Sequence, residues 1–474
     1  MAYDFSLLHR FAIEGTYLVL DINSGIIHVL SKEAWDFLNT WERCGGDLDR
    51  TAAALKKTLG QEDLVAISSS FIALCEEGSL FSKELSLENY QPREEHIVKA
   101  LCLHVAHDCN MRCQYCFAGT GPFGAERSLM DAETGKKAFD FLFEASGPRR
   151  HLEVDYFGGE PLLNFPVVKE LIKYGQEKAI KAGKILKQTL TTNALLLNTE
   201  IIDFLNKEKV YLILSIDGRP QVHERMRPLA GGQGSFPQVD RQIREFVNRQ
   251  KDETYYVRGT YTHFNVDFSE DILFLVDRGY NRVSLEPVVA DPEQDYALRA
   301  EDLPVLKAQY KKLAQKWLEY YKQGRPFQFF HFNLDLNKGP CLLKRLSGCG
   351  AGNEYLAVSP SGELYPCHQF MENKDFLLGN VFDGVQNQNL RKTFRQTHVL
   401  NKEKCRECWA RFYCGGGCHA NAYNFNKDLS QPYELGCELQ KTRLEYALYV
   451  QVKAWEEKTN SLNKGEEMLV ERDR

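Results

Sequence analysis

The first 80 residues contain two short runs of apolar and β-branched residues that are separated by a turn. Residues 17–20 and 26–30 are rich in Val, Ile, Leu and Tyr, and the sequence Asn-Ser-Gly lies between them at 23–25. Apolar runs joined by a glycine-containing turn are typical of a β-hairpin. The pattern therefore predicts a small antiparallel sheet in this region.

Helical patterning follows the predicted hairpin. Ser31 can cap a helix over residues 32–41, and two further helical stretches lie near 49–59 and 61–78. A short sheet with three helices predicts a winged-helix-like module over residues 1–80. An N-terminal extension of the following domain is the alternative interpretation.

After a polar linker at 81–97, strand-like and helical runs alternate over residues 98–330. The predicted strands are 101–106, 152–157, 186–192, 210–216, 255–260 and 282–288. The predicted helices include 131–145, 165–182, 198–207, 236–249 and 301–322. This alternation predicts an α/β fold with a parallel sheet, as a partial (β/α)6 barrel, although a doubly wound open sheet has the same pattern. In both architectures ligands bind at the carboxyl ends of the strands.

The segment 331–456 has a different pattern, since it is rich in Gly and Cys and poor in long periodic stretches. Metal centres can stabilise a region with so little apolar periodicity. A final helix is predicted over 438–456, and residues 457–474 are expected to form a charged, partly disordered tail.

Composition narrows the class of protein. A chain of 474 residues with 43% hydrophobic residues is too long for one small domain and too apolar to be largely disordered. A net charge of -6 gives no electrostatic reason to expect nucleic acid or an acidic membrane as a partner. No apolar run approaches the ~20 residues of a membrane span, and the N-terminal sequence lacks the pattern of a signal peptide. We therefore expect a cytoplasmic protein without nucleic-acid or membrane partners.

The 14 cysteines are distributed unevenly along the chain. Three lie within 109–116 and eight within 341–437, whereas Cys44, Cys75 and Cys102 are isolated. A reducing compartment disfavours disulfides as the explanation. Such clustering favours metal or iron–sulfur ligation over a role as small buried hydrophobic residues.

The first cluster has the spacing Cys-x3-Cys-x2-Cys and follows the first predicted strand of the alternating region, at Cys109, Cys113 and Cys116. Three thiolates are one fewer than the four that saturate a cubane cluster, which leaves one iron free to bind a small molecule. A zinc site usually has a fourth protein ligand or an open catalytic position. The spacing favours iron–sulfur ligation, with zinc and structural cysteines as alternatives.

Together with Tyr115 before its last cysteine, this motif resembles the radical S-adenosylmethionine (SAM) superfamily. The resemblance implies a [4Fe-4S] cluster on Cys109, Cys113 and Cys116 whose fourth iron binds SAM. Reduction by an external low-potential electron donor would then release a 5′-deoxyadenosyl radical. In such enzymes the cofactors carry the chemistry and the protein supplies position and protection, so the identity of a catalytic base stays open.

Other segments match the same family at the ends of predicted strands. Gly158, Gly159 and Glu160 follow the second strand, where glycines permit a close backbone approach and the carboxylate suits the SAM ammonium group. The resemblance extends the SAM contacts to Tyr115, Thr192, Asn193, Ser215, Asp217 and Arg227. Capping, turn and surface roles are the alternatives for these residues.

The eight later cysteines also have a distinctive spacing. Cys349-x12-Gly362-x4-Cys367 is followed by Cys405-x2-Cys408-x5-Cys414-x3-Cys418 and by Cys437, with Cys341 upstream. Eight thiolates can hold two zinc ions or two cubane clusters. The pattern resembles the SPASM extension of radical SAM peptide-modifying enzymes, which implies two auxiliary [4Fe-4S] clusters and three clusters in all.

The resemblance also implies interleaved ligand sets. The first auxiliary set is Cys341, Cys349, Cys367 and Cys418, and the second is Cys405, Cys408, Cys414 and Cys437. Without Cys341, the first cluster would have an open iron on which a substrate thiolate could bind.

Over nearly the whole chain the sequence resembles radical SAM/SPASM maturases of ribosomally made peptides, and segments 101–119 and 349–369 resemble maturases of Cys-rich SCIFF peptides. Those enzymes join a Cys sulfur to a carbon in a thioether. The N-terminal module resembles elements that bind a leader peptide as an added strand. The implied partner is therefore a Cys-containing precursor peptide with a leader.

Two other classes of function fit the same residues. One is a different modification within the superfamily, such as sulfatase-maturing oxidation or carbon–carbon crosslinking. The other is a non-enzymatic protein that uses bound metal for structure or electron transfer.

Overall fold

The computed structural model describes residues 3–83, 97–250, 254–336 and 342–472, with the backbone alone for 342–344 and 460–472. The strands of these residues form one three-stranded sheet and one eleven-stranded sheet. Among the described helices, none is long and apolar enough to span a bilayer.

The N-terminal module consists of the small sheet and three helices. Its elements are β1 (Leu8–Ile13), β2 (Thr16–Asp21), β3 (Ile27–Leu30), α1 (Lys32–Arg43), α2 (Leu48–Leu55) and α3 (Gln61–Glu76). The Ser31 hydroxyl caps α1 by accepting from the Ala34 N–H at 3.1 Å, as predicted. Strand β1 was not predicted, and it pairs antiparallel with β2 of the expected hairpin.

The middle of the chain alternates strands and helices as predicted. The elements are β4 (Ala100–Ala106), α4 (Ala132–Ala145), β5 (His151–Gly158), α5 (Phe165–Ala182), β6 (Ile185–Thr192), α6 (Thr199–Lys207), β7 (Tyr211–Ser215), α7 (Pro220–Met226), α8 (Phe236–Arg249), β8 (Tyr255–Tyr261), α9 (Phe268–Asp277), β9 (Arg282–Pro287), α10 (Leu303–Lys322) and β10 (Gln328–Phe329). The six predicted strands all form, whereas α7, α9 and β10 were not predicted.

The order of the strands decides between the two expected architectures. Strands β4 to β10 are parallel and adjacent in sequential order. A doubly wound sheet would instead grow in both directions from its centre. The sheet does not close on itself, because β4 pairs with a strand of the C-terminal region. The prediction of a partial barrel is therefore confirmed.

The C-terminal region consists of short elements and one long helix. They are α11 (Leu342–Ser347), β11 (Tyr355–Val358), β12 (Glu363–Tyr365), β13 (Gly379–Asn380), β14 (Gly384–Val385), α12 (Gln388–Gln396), α13 (Glu403–Arg406), α14 (Arg411–Cys414), α15 (His419–Asn426) and α16 (Glu434–Arg472). Strand β11 runs parallel to β4, with Leu356 opposite Leu101, so the barrel sheet continues into this region.

Helix α16 corrects the prediction for the end of the chain. It begins before residue 438 and continues through most of the segment 457–474, which was expected to be a partly disordered tail. This segment contains no proline and many Glu and Lys residues, which are good helix formers. The helix packs along α10 of the barrel.

Helices α4 and α5 approach closely because a glycine lies at their contact. A Cβ on Gly175 would stand 2.4 Å from the Phe139 ring and 2.9 Å from Leu186. We expect Gly175→Ala to lower the free energy of unfolding by about 1–3 kcal/mol through overpacking, seen as a lower thermal unfolding midpoint. Gly60→Ala is the control, since its Cβ would meet only the flexible Asp63 carboxylate at 3.3 Å. Equal midpoints for the two variants would contradict the tight contact.

Candidate functional site

The cysteine loop, residues 109–116, begins just after β4 and is fixed by backbone hydrogen bonds. The Arg112 N–H donates to the Pro228 carbonyl at 2.9 Å, and the Gln114 N–H donates to the Met226 carbonyl at 2.9 Å. The loop is therefore docked on the segment that follows α7.

The three thiols of this loop lie in one region. Burial, together with the nearby Glu160, Cys113 and Cys116, raises the pKa of Cys109 to about 12. The Met111 N–H points at the Cys109 sulfur at 3.5 Å. Cysteine binds metal as the thiolate, so a metal cluster would have to displace the protons of these thiols.

Two glycines, Gly158 at the end of β5 and Gly159 just after it, lie against the backbone that leads into the cysteine loop. A Cβ on Gly159 would stand 2.2 Å from the Asp108 carbonyl oxygen, and a Cβ on Gly158 would stand 2.2 Å from that of Ala106. The Gly159 N–H donates to the Ala106 carbonyl at 2.8 Å. The close approach that these glycines permit is thus between β5 and the backbone leading into the cysteine loop.

Glu160 is fully buried and joins two strand ends to the same loop. Its carboxylate accepts hydrogen bonds from the Thr192 hydroxyl and the Asn193 N–H, both at 2.8 Å. The Asn193 side-chain amide lies 3.8 Å from the Cys109 sulfur. Burial raises the pKa of Glu160, and these donors oppose that shift. Four predicted residues, including Cys109, therefore form one connected unit.

A second unit contains Tyr115 and the buried residues Asp217 and Arg227. The Tyr115 hydroxyl donates to Asp217 at 2.7 Å, and Arg227 donates to that hydroxyl at 3.0 Å. The Thr260 N–H also donates to Asp217, at 3.1 Å. Burial raises the pKa of Asp217 to about 6 although Arg227 opposes the shift. This unit ties the cysteine loop to the ends of β7 and β8, and Ser215 lies beside it at the end of β7.

The later cysteines separate into two groups in the structure. Burial raises the pKa of the Cys367 thiol, and the nearby Cys418 and Cys349 raise it further. Burial likewise raises the pKa of Cys437 to about 11, with further contributions from the following cysteines: Cys414, Cys405 and Cys408. One group contains Cys349, Cys367 and Cys418, and the other contains Cys405, Cys408, Cys414 and Cys437. Cys341, the remaining predicted ligand, lies outside the described residues.

Two cavities lie against these groups. Cys405, Cys408, Cys414 and Cys437 all line a cavity of about 480 Å³. A second cavity, of about 560 Å³, is lined by cysteines of both groups and by Arg258 and Glu286 from the barrel strands. In the described ranges, no three His, Cys, Asp or Glu side chains converge as ligands of one metal ion.

Several residues of the site were not predicted from the sequence. Glu286 lies 3.0 Å from His331 and 3.8 Å from Arg443. Glu286 lies near the end of the sixth predicted strand, where a ligand-binding residue is expected, so the sequence could have identified it. His331 and Arg443 come from distant segments in which no sequence pattern indicated a site. Asn110, within the cysteine motif, accepts from the Asn193 amide at 2.7 Å.

Comparison with known proteins gives two family matches and several relatives. A model described as a 4Fe-4S single cluster domain matches residues 99–239, and SPASM, an iron–sulfur cluster-binding domain, matches 349–409. A cysteine-type anaerobic sulfatase-maturating enzyme of Clostridium perfringens is 26% identical over 72% of this chain and 93% of its own length. The subtilosin biosynthesis protein AlbA of Bacillus subtilis is 25% identical over 68% of this chain and 67% of its own.

Solved structures share the fold. Native anSMEcpe with bound AdoMet has a TM-score of 0.64 at 20% identity, covering 75% of this chain and 98% of that one. Streptococcus suis SuiB bound to S-adenosylmethionine has a TM-score of 0.51 at 17% identity, covering 91% and 98%. The partial barrel, the cysteine loop after its first strand and the C-terminal SPASM match occur on one chain, and in these features this protein is similar to radical SAM/SPASM enzymes.

Proposed function

We propose that this protein is a radical SAM enzyme that joins Cys sulfur to carbon in thioether crosslinks of a ribosomally made, Cys-rich precursor peptide. The observation that carries the proposal is the cavity of about 560 Å³ shared by the barrel and both groups of later cysteines. Arg258 and Glu286 of the barrel line it together with Cys349 of one group and Cys437 of the other. A peptide in this cavity would contact the barrel and both groups at once.

The thiol groups of the three cysteine groups are suitable ligands for iron–sulfur clusters. Cys109, Cys113 and Cys116 would hold a [4Fe-4S] cluster that, with bound SAM, supplies a 5′-deoxyadenosyl radical for hydrogen abstraction. The two later groups would hold two more clusters, with Cys341 as a further ligand of the first. The family matches to iron–sulfur domains and the AdoMet bound in two solved relatives support these cofactors.

The residues around the cysteine loop would bind SAM and keep it oriented. A carboxylate has about four acceptor positions, and Glu160 uses three of them on Thr192, Asn193 and Leu162. One position is left for the SAM ammonium group. The Tyr115–Asp217–Arg227 unit holds the loop rigid, and Gly158, Gly159 and Ser215 complete the proposed contacts.

Thioether formation removes two hydrogens from the peptide, so the electrons must be accounted for. One electron leaves with the hydrogen atom that converts the adenosyl radical to 5′-deoxyadenosine. The thiol loses its proton as sulfur bonds to the carbon radical, and the remaining electron needs a one-electron acceptor. Clusters on the later cysteine groups are suitable acceptors because the groups line the same cavity.

Relatives support a peptide as the substrate. Solved structures include anSMEcpe with a Cp18Cys peptide and SuiB with the precursor peptide SuiA, and AlbA is a subtilosin biosynthesis protein. The likeness to a sulfatase-maturating enzyme favours cysteine oxidation as a second candidate. The mass of the product distinguishes the two.

The N-terminal module offers an open sheet edge for a leader peptide. In the described part of the chain, no strand pairs with the outer edge of β3. Val29 is 45% exposed and pairs with Leu18 of β2. The Asp21 N–H bonds to the Ile26 carbonyl, and because hydrogen-bonded pairs alternate along an antiparallel ladder, the Val29 N–H points to the open edge.

The first prediction concerns iron content. Anaerobic reconstitution should give about twelve irons per chain, as three cubane clusters require. Replacing Cys109, Cys113 and Cys116 together with Ala should remove about four irons and all SAM cleavage, whereas Cys44→Ala should change neither. Iron and sulfide analysis provides the measurement. Zinc at the later cysteines, with about four irons in the wild type, would contradict two auxiliary clusters.

The second prediction concerns the product. With SAM, reductant and a Cys-rich precursor peptide, each crosslink should lower the peptide mass by two hydrogens, and the crosslinked Cys should resist alkylation. Cys408→Ala with Cys414→Ala should abolish crosslinks and spare some SAM cleavage. Mass spectrometry of the alkylated product distinguishes a thioether from other modifications. A loss of two hydrogens with every Cys still alkylated would exclude a thioether and favour oxidation or a carbon–carbon bond.

The third prediction concerns the leader peptide. Val29→Pro removes an outward N–H at an edge strand, where proline is tolerated, and should weaken leader binding about tenfold, as expected for one lost hydrogen bond. Val29→Ala keeps the N–H and serves as the control. Fluorescence anisotropy of a labelled leader measures affinity. Equal affinities for both variants would argue against strand addition at β3.

A further inference from the structure

The N-terminal module contacts the segment between two cysteines of the second auxiliary group. Residues 409–413 lie between Cys408 and Cys414, and both cysteines line the 480 Å³ cavity of this group. We call residues 409–413 the ligand loop. Four of its five residues contact the module.

The first contact is an aromatic stack. The His9 ring of β1 lies flat on the Trp409 indole, with ring centroids 3.6 Å apart and an interplanar angle of 2°. The His9 Nε2 is also 2.9 Å from the Glu445 carboxylate of α16. The His9 ring is therefore held by two residues of the C-terminal region, Trp409 on its face and Glu445 at its edge.

The second set of contacts is polar and comes from the hairpin turn between β2 and β3. Arg411 donates to the Asn23 side-chain oxygen at 2.7 Å, and the Tyr413 hydroxyl donates to the Gly25 carbonyl at 3.1 Å. Asn23 is 3% exposed and Arg411 is 7% exposed. The Asn23 amide also donates to the Ser82 carbonyl at 3.0 Å, so the acceptor is held in place from within the module.

The third contact is apolar. Ile22, at the start of the same turn, packs in one cluster with Phe412 of the ligand loop, Cys405 and Val399. Cys405 is itself a cysteine of the second group. Through Ile22 the module thus contributes to the small apolar core that contains Cys405.

We propose that His9 and the turn at residues 22–25 are positioning residues for the second auxiliary cluster. They fix the ligand loop, and with it the spacing of the Cys408 and Cys414 thiols. A short loop with little apolar core of its own loses conformational freedom when neighbouring residues order it, and that ordering lowers the free energy needed to bind a cluster. The part of this proposal that concerns the cluster rests on the proposed function. The contacts of His9 and the turn with the ligand loop are contacts between residues that the structure describes.

Linkage makes the effect reciprocal. If ordering of the ligand loop favours cluster binding, cluster binding must in turn stabilise the turn at 22–25. Strand β3 begins at Ile27, two residues after Gly25. The edge proposed for the leader peptide is therefore connected directly to the support of the second cluster.

The test uses the full chain with Cys109, Cys113 and Cys116 replaced by Ala, so that all bound iron is auxiliary. His9→Ala with Asn23→Ala removes the stack and the buried acceptor. We expect about half of the iron to pass to a chelator about tenfold faster, equivalent to about 1.4 kcal/mol in the barrier, with the other half unchanged. Arg10→Ala is the control, since Arg10 contacts Asn39 and Glu42 inside the module.

A milder variant provides the test if the double variant does not fold. Tyr413→Phe removes only the hydroxyl that donates to Gly25, and it should accelerate release of the same half of the iron by a smaller factor. Unchanged release in Tyr413→Phe and in the folded double variant overturns the proposal. Equal acceleration of both halves also overturns it, since that result indicates general destabilisation.

Amide hydrogen exchange separates this proposal from the proposed function. Exchange over residues 409–413 should rise about tenfold in the double variant, whatever its iron content, for the same loss of free energy. Exchange over 22–30 should fall when the second group is loaded and should not fall in Cys405→Ala with Cys437→Ala. A chain without auxiliary iron would contradict the proposed function, and unchanged exchange over 409–413 would still overturn the positioning role.

Discussion

The parallel pairing of β4 with β11 is the interaction on which the arrangement of the site depends. It makes the barrel and the Cys-rich region parts of one sheet, with Leu101 opposite Leu356 and Leu103 opposite Val358. Strand β4 is buried along its whole length, and a slip of one residue would exchange its Leu101 and Leu103 face with its Cys102 and His104 face. Its other end leads into the cysteine loop. One backbone ladder therefore fixes the first cysteine group relative to the later ones.

Backbone packing also shapes the cysteine loop itself. Gly158 and Gly159 bring β5 against the carbonyls of Ala106 and Asp108, and the Tyr115–Asp217 hydrogen bond fixes the other half of the loop. Ordering by the protein reduces the conformational entropy that cofactor binding would otherwise have to offset. The residues expected to contact SAM therefore also build the loop that presents the thiols.

Two proposed roles, leader-peptide binding and positioning of the second cysteine group, involve the same N-terminal module. One edge of its sheet is open at β3, and its hairpin turn is buried against the ligand loop through Asn23 and Arg411. The proposed peptide edge and the contact with the second cysteine group thus belong to one small sheet. Removal of the module would expose part of the core beneath those thiols.

Much of this organisation could be predicted from the sequence because it depends on local pattern. Period and turn chemistry located the hairpin, the six parallel strands and most helices, and spacing located the two stretches of clustered cysteines, at 109–116 and 341–437. The pairing of Cys418 with Cys367 was implied only by family resemblance, since Cys414 is its nearer neighbour along the chain. Tertiary structure decided contacts between distant segments: sequential strand order, the Glu286–His331–Arg443 group and the stack of His9 on Trp409. Such contacts depend on how elements pack in three dimensions, and local periodicity carries no information about that packing.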